Sequence, residues 1–176
     1  AEDVRGRHVG DVGDVPGNAR RVQQALDQSR ELKPDLVVFS ELMLTGYPPR
    51  DLLLRDGVVR AAEAMVESLA REFAAGPPAV LGTAARNPTA TGRPLVNAAV
   101  FARGGRVEAV YAKRLLPTYD VFDEARYFQP GTGPVVVDVA GRRVGLSVCE
   151  DLWVADRVQG RRLYDADPPK DLAEAG

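Results

Sequence analysis

The sequence is poor in the residues that staple or metallate small domains: 176 residues hold one cysteine, Cys149, and one histidine. A lone cysteine closes no intramolecular disulfide, and one Cys with one His falls short of a structural zinc site, so neither a covalent nor a metal staple is expected. A surplus of either charge is also missing. The formal net charge is -2 and basic residues are interleaved with acidic ones, so no face is built to neutralise phosphates, which argues against nucleic acid as a partner. No apolar run approaches the roughly 18 to 20 residues that span a bilayer. The charged opening AEDVRGRH carries no apolar leader core, so the reading is a cytoplasmic protein with no membrane partner.

What is present suffices for one packed core, with 45% hydrophobic and 27% charged residues. From Gly17 to Lys33, Val22, Ala25, Leu26 and Leu32 fall on one side at helical spacing before Pro34. Leu36 to Phe39 is a short continuous apolar run, which predicts a strand covered on both faces. Val58 to Ala75 predicts a second helix through Ala62, Met65, Leu69 and Phe73, closed by Gly76, Pro77 and Pro78. Ala79 to Thr83 reads as a strand. Leu95 to Ala102 and Arg106 to Ala112 flank Gly104 and Gly105 as a hairpin, and Val135 to Val139 with Val144 to Cys149 repeat the arrangement around Ala140 and Gly141. The order predicts an α/β fold, helices packed on a largely β layer with antiparallel members. No internal repeat is visible. The long loop Leu115 to Pro134 keeps Tyr119, Phe122, Tyr127 and Phe128, and a long aromatic loop in a compact domain is often functional.

Three ionisable groups follow apolar strands: Glu41 in VVFSELMLTGYPPRDLL, Lys113 after Ala112, and Cys149 at the end of GLSVC. Taken singly, they read as a solvated carboxylate, a surface lysine and a small buried apolar side chain. Taken together they suit amide cleavage. A cysteine needs a proton acceptor, a cation for the oxyanion and a proton donor for departing ammonia. A carboxylate fills the first and third roles in turn, and an ammonium stabilises the oxyanion and favours thiolate in the free enzyme.

These segments resemble the nitrilase, or carbon-nitrogen hydrolase, superfamily, whose catalytic set runs Glu, Lys, Cys in chain order. The resemblance implies an α-β-β-α sandwich, with Glu41 as general base, Lys113 as oxyanion-stabilising cation and Cys149 as nucleophile. The backbone amide of Glu150 would complete the oxyanion hole. DEARYFQPG is similar to the segment carrying a second family glutamate, which makes Glu124 a residue orienting Lys113 and the bound amide.

The fuller strings ELMLTGYPPRDLL, KRLLPTYDVFDEARYFQPG and GLSVCEDLW resemble the N-terminal glutaminase domain of glutamine-dependent NAD synthetases. That likeness implies glutamine as substrate, Tyr47 and Tyr119 as walls of its pocket, and a synthetase domain or subunit that receives the ammonia. It also implies a homo-oligomer. No cofactor is implied for amide hydrolysis, while ATP and Mg would belong to the synthetase domain, whose Ser-Gly-Gly type loop is absent from these residues. Residues 1–176 then read as a partial glutamine amidohydrolase domain, apparently truncated at both ends, since AEDVRGRHVGDVGDV is unlike the family's apolar first strand. Ala155 to Lys170, with Arg157, Arg161, Arg162, Asp165 and Asp167, reads as a polar loop or insertion without assigned function. Two alternatives stay open: another nitrilase-like ω-amidase, and a non-catalytic incomplete fragment.

Overall fold

Helix α1, Val15–Leu32, starts two residues before the predicted Gly17, because Asp14 caps it by accepting from Gly17 N at 3.0 Å and Pro16 suits the first turn. These features come from a computed structural model that describes residues 10–154, 157–158 and 160–176. The apolar first strand questioned above involves residues 1–9, which lie outside the described residues. Lys33 ends α1 in the left-handed conformation ahead of Pro34. Its buried stripe is Val15, Ala19, Val22 and Leu26, and burying each Val or Leu contributes about 1.5–3 kcal/mol. Leu32 departs from expectation. It is exposed, and the last buried position goes to Ser29, whose hydroxyl donates back to the Leu26 carbonyl at 2.7 Å.

Helix α2, Asp56–Glu72, buries Val59, Ala62, Val66 and Leu69, a spacing of three and four, and Phe73 caps it. Both helices join one core with the sheet formed by β1 (Val37–Val38), β2 (Ala79–Arg86), β3 (Leu95–Arg103) and β4 (Arg106–Ala112). β1 runs parallel to β2, and the other neighbours are antiparallel. The strand expected over Leu36 to Phe39 is only two residues long and Val38 is exposed, contrary to a strand buried on both faces. It pairs with β2 alone among the described residues; Val37 and Phe39 pack against the core shared with the helices and Leu36 against the cluster of Val80 and Phe101, which leaves Val38 alone of the run in solvent.

The β3–β4 hairpin forms as read, with Gly104 and Gly105 at φ 60° and 86° in its turn. β3 is buried on both faces, and period-two alternation sorts its residues. Val96, Ala98 and Val100 face the two helices, while Ala99 and Phe101 face Val137, Val139, Leu146 and Val148 of a second hairpin. That hairpin comprises β5 (Val136–Val139) and β6 (Arg142–Gly145), paired antiparallel through a turn at Ala140 and Gly141.

β6 stops at Gly145, short of the strand predicted to reach Cys149, because β5 offers no partner beyond Val136, and only Leu146 N extends the pairing, to Val135 O at 2.9 Å. A short β7 (Arg157–Val158) and β8 (Arg161–Arg162) pair next. Then α3, Pro168–Ala175, is capped by Asp167, which gives that residue of the polar stretch a structural role. Gly145 lets α3 approach, since a Cβ there would stand 2.9 Å from Leu172 Cδ2. Helices thus lie outside two β layers, as the expected α-β-β-α order requires.

Candidate functional site

Glu41 stands in a tight turn, residues 41–45, directly after β1. Leu42 takes a left-handed φ of 50°, and Leu44 N donates to Gly82 O at 3.2 Å, tying the turn to β2. A Cβ at Gly82 would sit 2.2 Å from the Ser40 carbonyl and 2.9 Å from Glu41 Cα, so this glycine is what permits the close approach. Lys113 continues β4 by one residue, its N–H donating to Asn97 O at 2.8 Å. That register sets Lys113 opposite Asn97, and opposed residues on antiparallel strands share a face.

The chain after Lys113 folds back along the edge of the sheet. Gly131 N donates to Lys113 O at 2.9 Å and Gln129 N to Leu95 O at 2.7 Å, which brings a 3₁₀ turn, Glu124–Arg126, beneath the lysine. The loop owes its order to Leu116 and Phe128, buried with Leu42, Leu53 and Leu95. Cys149 arrives from the other β layer. It opens a 3₁₀ turn, Cys149–Leu152, with φ of 43°, a sparsely populated conformation for a residue other than glycine. Its side chain is exposed.

These segments converge. Lys113, 1% exposed, donates through Nζ to Glu41 Oε1 at 2.8 Å and to Glu124 Oε1 at 3.0 Å. Asn97 Nδ2 donates to Glu41 Oε1 at 2.6 Å and reaches Glu124 Oε2 at 3.4 Å. Tyr47 donates to Glu124 Oε1 at 3.0 Å, and its ring stands 6.4 Å from that of Phe122. Tyr119 donates to Glu150 at 2.9 Å, and Tyr164 adds a second hydroxyl to the same carboxylate at 2.8 Å. A cavity of about 410 Å³ shares Tyr47 and Glu124 with this cluster, and neither Cys149 nor Tyr119 lines it.

Burial works against the Lys113 ammonium, but the two carboxylates outweigh it and hold its pKa above the ordinary value. Glu124 is also raised, first by burial and then by repulsion from Glu41, although Lys113 opposes both. The two upward shifts are compatible because one ammonium serves two carboxylates. Partial desolvation of its sulfur raises the Cys149 pKa as well, although the residue as a whole is exposed, and Glu41 adds to this by its charge while Lys113 only partly compensates. Lys113 thus favours the thiolate, as expected, but desolvation and Glu41 outweigh it and leave the Cys149 pKa above its ordinary value. Tyr47 is raised too, mainly by burial and then by Glu124, so its hydroxyl stays a donor.

The structure therefore joins Glu41, Lys113, Glu124, Cys149 and Tyr47, and seats Tyr119 on the carboxylate of Glu150, the residue after Cys149. Asn97, Asp151, Tyr111 and Tyr164 were not anticipated. The signal for Asn97 was an amide inside the apolar run LVNAAVFA. Asp151 had none beyond its nearness to Cys149. Among the described residues, no group of three or more His, Cys, Asp or Glu side chains is arranged to hold a metal ion, and no helix is long and apolar enough to cross a membrane.

A family model described as carbon-nitrogen hydrolase matches residues 7–158. The glutamine-dependent NAD(+) synthetase of Xanthomonas campestris pv. campestris (strain 8004) is 45% identical over 150 residues, 82% of this chain and 26% of that protein. Among solved structures, the glutamine-dependent NAD+ synthetase of Acinetobacter baumannii in complex with ADP superposes with a TM-score of 0.77. It is 32% identical, with 85% of this chain and 27% of that one covered. An amidase from Nesterenkonia sp. gives a TM-score of 0.69 at 27% identity, with 83% of this chain and 54% of that one covered. The chain spans about a quarter of the length of the curated relatives it matches.

Proposed function

The chain belongs to the carbon-nitrogen hydrolase family, and from that premise we propose that it hydrolyses the side-chain amide of glutamine to supply ammonia for ATP-dependent NAD synthesis. The observation that carries this reading is the buried Lys113, bonded at once to Glu41 and Glu124, with Cys149 near enough for both Glu41 and Lys113 to act on its thiol. Glu41 takes the thiol proton as sulfur attacks the amide carbon. Lys113 and the backbone amide of Glu150 hold the oxyanion, worth roughly 10²–10³ in rate for each such donor. Glu41 then returns the proton to nitrogen, the C–N bond breaks and ammonia leaves a thioester. Water, deprotonated by Glu41, attacks that thioester, and the C–S bond breaks to release glutamate and regenerate the thiol.

Glu124, held by Lys113, Asn97 and Tyr47, orients the lysine, and Tyr47 and Tyr119 wall the pocket beside Glu150. Thiol attack on an amide calls for no metal or organic carrier. In this reading residues 1–176 are part of a glutamine amidohydrolase domain. The ammonia passes to an ATP-dependent synthetase domain or subunit outside them, and the assembly is a homo-oligomer. Support comes from the NAD synthetases among the relatives. The likeness to the Nesterenkonia amidase favours a second reading, hydrolysis of another ω-amide.

Ammonia release from glutamine and from simple aliphatic amides, by the purified chain and its Cys149→Ala variant, tests both. Cysteine-dependent release confined to glutamine is the expected outcome. Equal or better release from simple amides favours the second reading, and release that survives Cys149→Ala overturns both.

A further inference from the structure

We propose that Asp151 is a positioning residue that fixes Lys113 relative to Cys149 by bonding the segments that carry them. This rests on the reading of Lys113 and Cys149 as catalytic. Asp151 is fully buried. Its Oδ1 accepts from Arg114 N at 3.0 Å and Leu115 N at 2.8 Å, the two residues after Lys113. Its Oδ2 accepts from the Tyr111 hydroxyl at 2.7 Å, two residues before Lys113, and from Val148 N at 3.0 Å, the residue before Cys149.

One carboxylate thus joins the end of β4 to the turn of Cys149 across the two β layers. The bond to Val148 N also caps the 3₁₀ turn in which Cys149 adopts its left-handed φ. A carboxylate, with two acceptor oxygens and no donor, satisfies all four groups at once. An asparagine offers one acceptor oxygen, and its N–H₂ can be received by the Tyr111 hydroxyl but faces at least one of the three backbone N–H groups donor to donor.

The test compares Asp151→Asn, Tyr111→Phe and Lys113→Met by kcat and KM for amide hydrolysis and by the pH midpoint of Cys149 alkylation with iodoacetamide. Melting temperatures verify folding. For Asp151→Asn, kcat falls about a hundredfold, the cost of a misplacement near 1 Å, with KM held within about threefold. The alkylation midpoint moves to higher pH as the thiol loses the help of Lys113. Tyr111→Phe shifts both readouts in the same direction by less, and it carries the test if the Asn variant fails to fold.

Folded variants with unchanged kcat and midpoint overturn the proposal. A midpoint that moves down overturns it too, since that is the effect of simply removing a negative charge. Lys113→Met separates the premises. If it also leaves kcat and the midpoint unchanged, the catalytic reading fails, whereas if it alone loses activity, only the role of Asp151 is lost.

Discussion

Nζ of Lys113 lies 2.8 Å from Oε1 of Glu41 in surroundings that leave 1% of the lysine side chain exposed. A buried pair tolerates loss of one partner badly, because the other charge is left uncompensated. Here the ammonium also answers Glu124, so its removal leaves two carboxylates facing each other. Lys113→Met is expected to cost about 3–5 kcal/mol by urea unfolding at pH 7. The loss shrinks as pH falls and Glu124, whose pKa is raised, takes up a proton. A loss independent of pH contradicts the arrangement.

After desolvation, the charge of Glu41 is the main cause that raises the Cys149 pKa. Removing that charge therefore separates thiol acidity from turnover. In Glu41→Gln the alkylation midpoint moves down from a starting point above the ~8.5 of a free cysteine. Amide hydrolysis nevertheless falls by about 10²–10⁴ for want of a proton carrier. An upward shift in the midpoint would show that Glu41 does not face the thiol.

The carboxyl of Glu124 is raised above its ordinary value, chiefly by burial. A raised acid binds more protons folded than unfolded, so its contribution to stability is complete below the unfolded pKa of about 4.3 and is lost as pH rises through the folded value. The stability of the wild type relative to Glu124→Gln is therefore expected to decline between pH 4 and pH 8. Urea titrations of both proteins across that range measure the slope, and a rising difference refutes the assignment.

Gly82 is a steric requirement with ordinary backbone angles. Gly82→Ala drives a Cβ into the Ser40 carbonyl, Leu42 N and Glu41 Cα, all backbone. The turn holding Glu41 must move, at a cost of about 1–3 kcal/mol and with loss of most amide hydrolysis. Gly57→Ala in α2 is the control, since nothing lies within 4 Å, and it is expected to stabilise by about 0.5–1 kcal/mol. Equal melting temperatures for the two variants would contradict the close contact.

The sequence by itself determined the elements whose signals are local. Helical spacing and caps wrote α1 and α2, and Gly104 with Gly105 wrote the β3–β4 hairpin. Wording around Glu41, Lys113, Glu124 and Cys149 pointed to the carbon-nitrogen hydrolase family, because these residue types sit in recognisable segments. Tertiary structure decided what those residues do to one another. Val38 is exposed although Leu36, Val37 and Phe39 beside it are packed, and Cys149 lies on a turn because β6 outruns its partner; neither fact is visible in a run of apolar letters. That Lys113 is buried between two carboxylates, and that the Cys149 pKa is raised beside Glu41, follows from desolvation and charge summed over segments up to 108 positions apart in the numbering of Glu41 and Cys149. Asn97 and Asp151 acquire their bonding partners the same way: strand register sets Asn97 opposite Lys113, and the stacking of two β layers brings Asp151 to the backbone of the segments that carry Lys113 and Cys149.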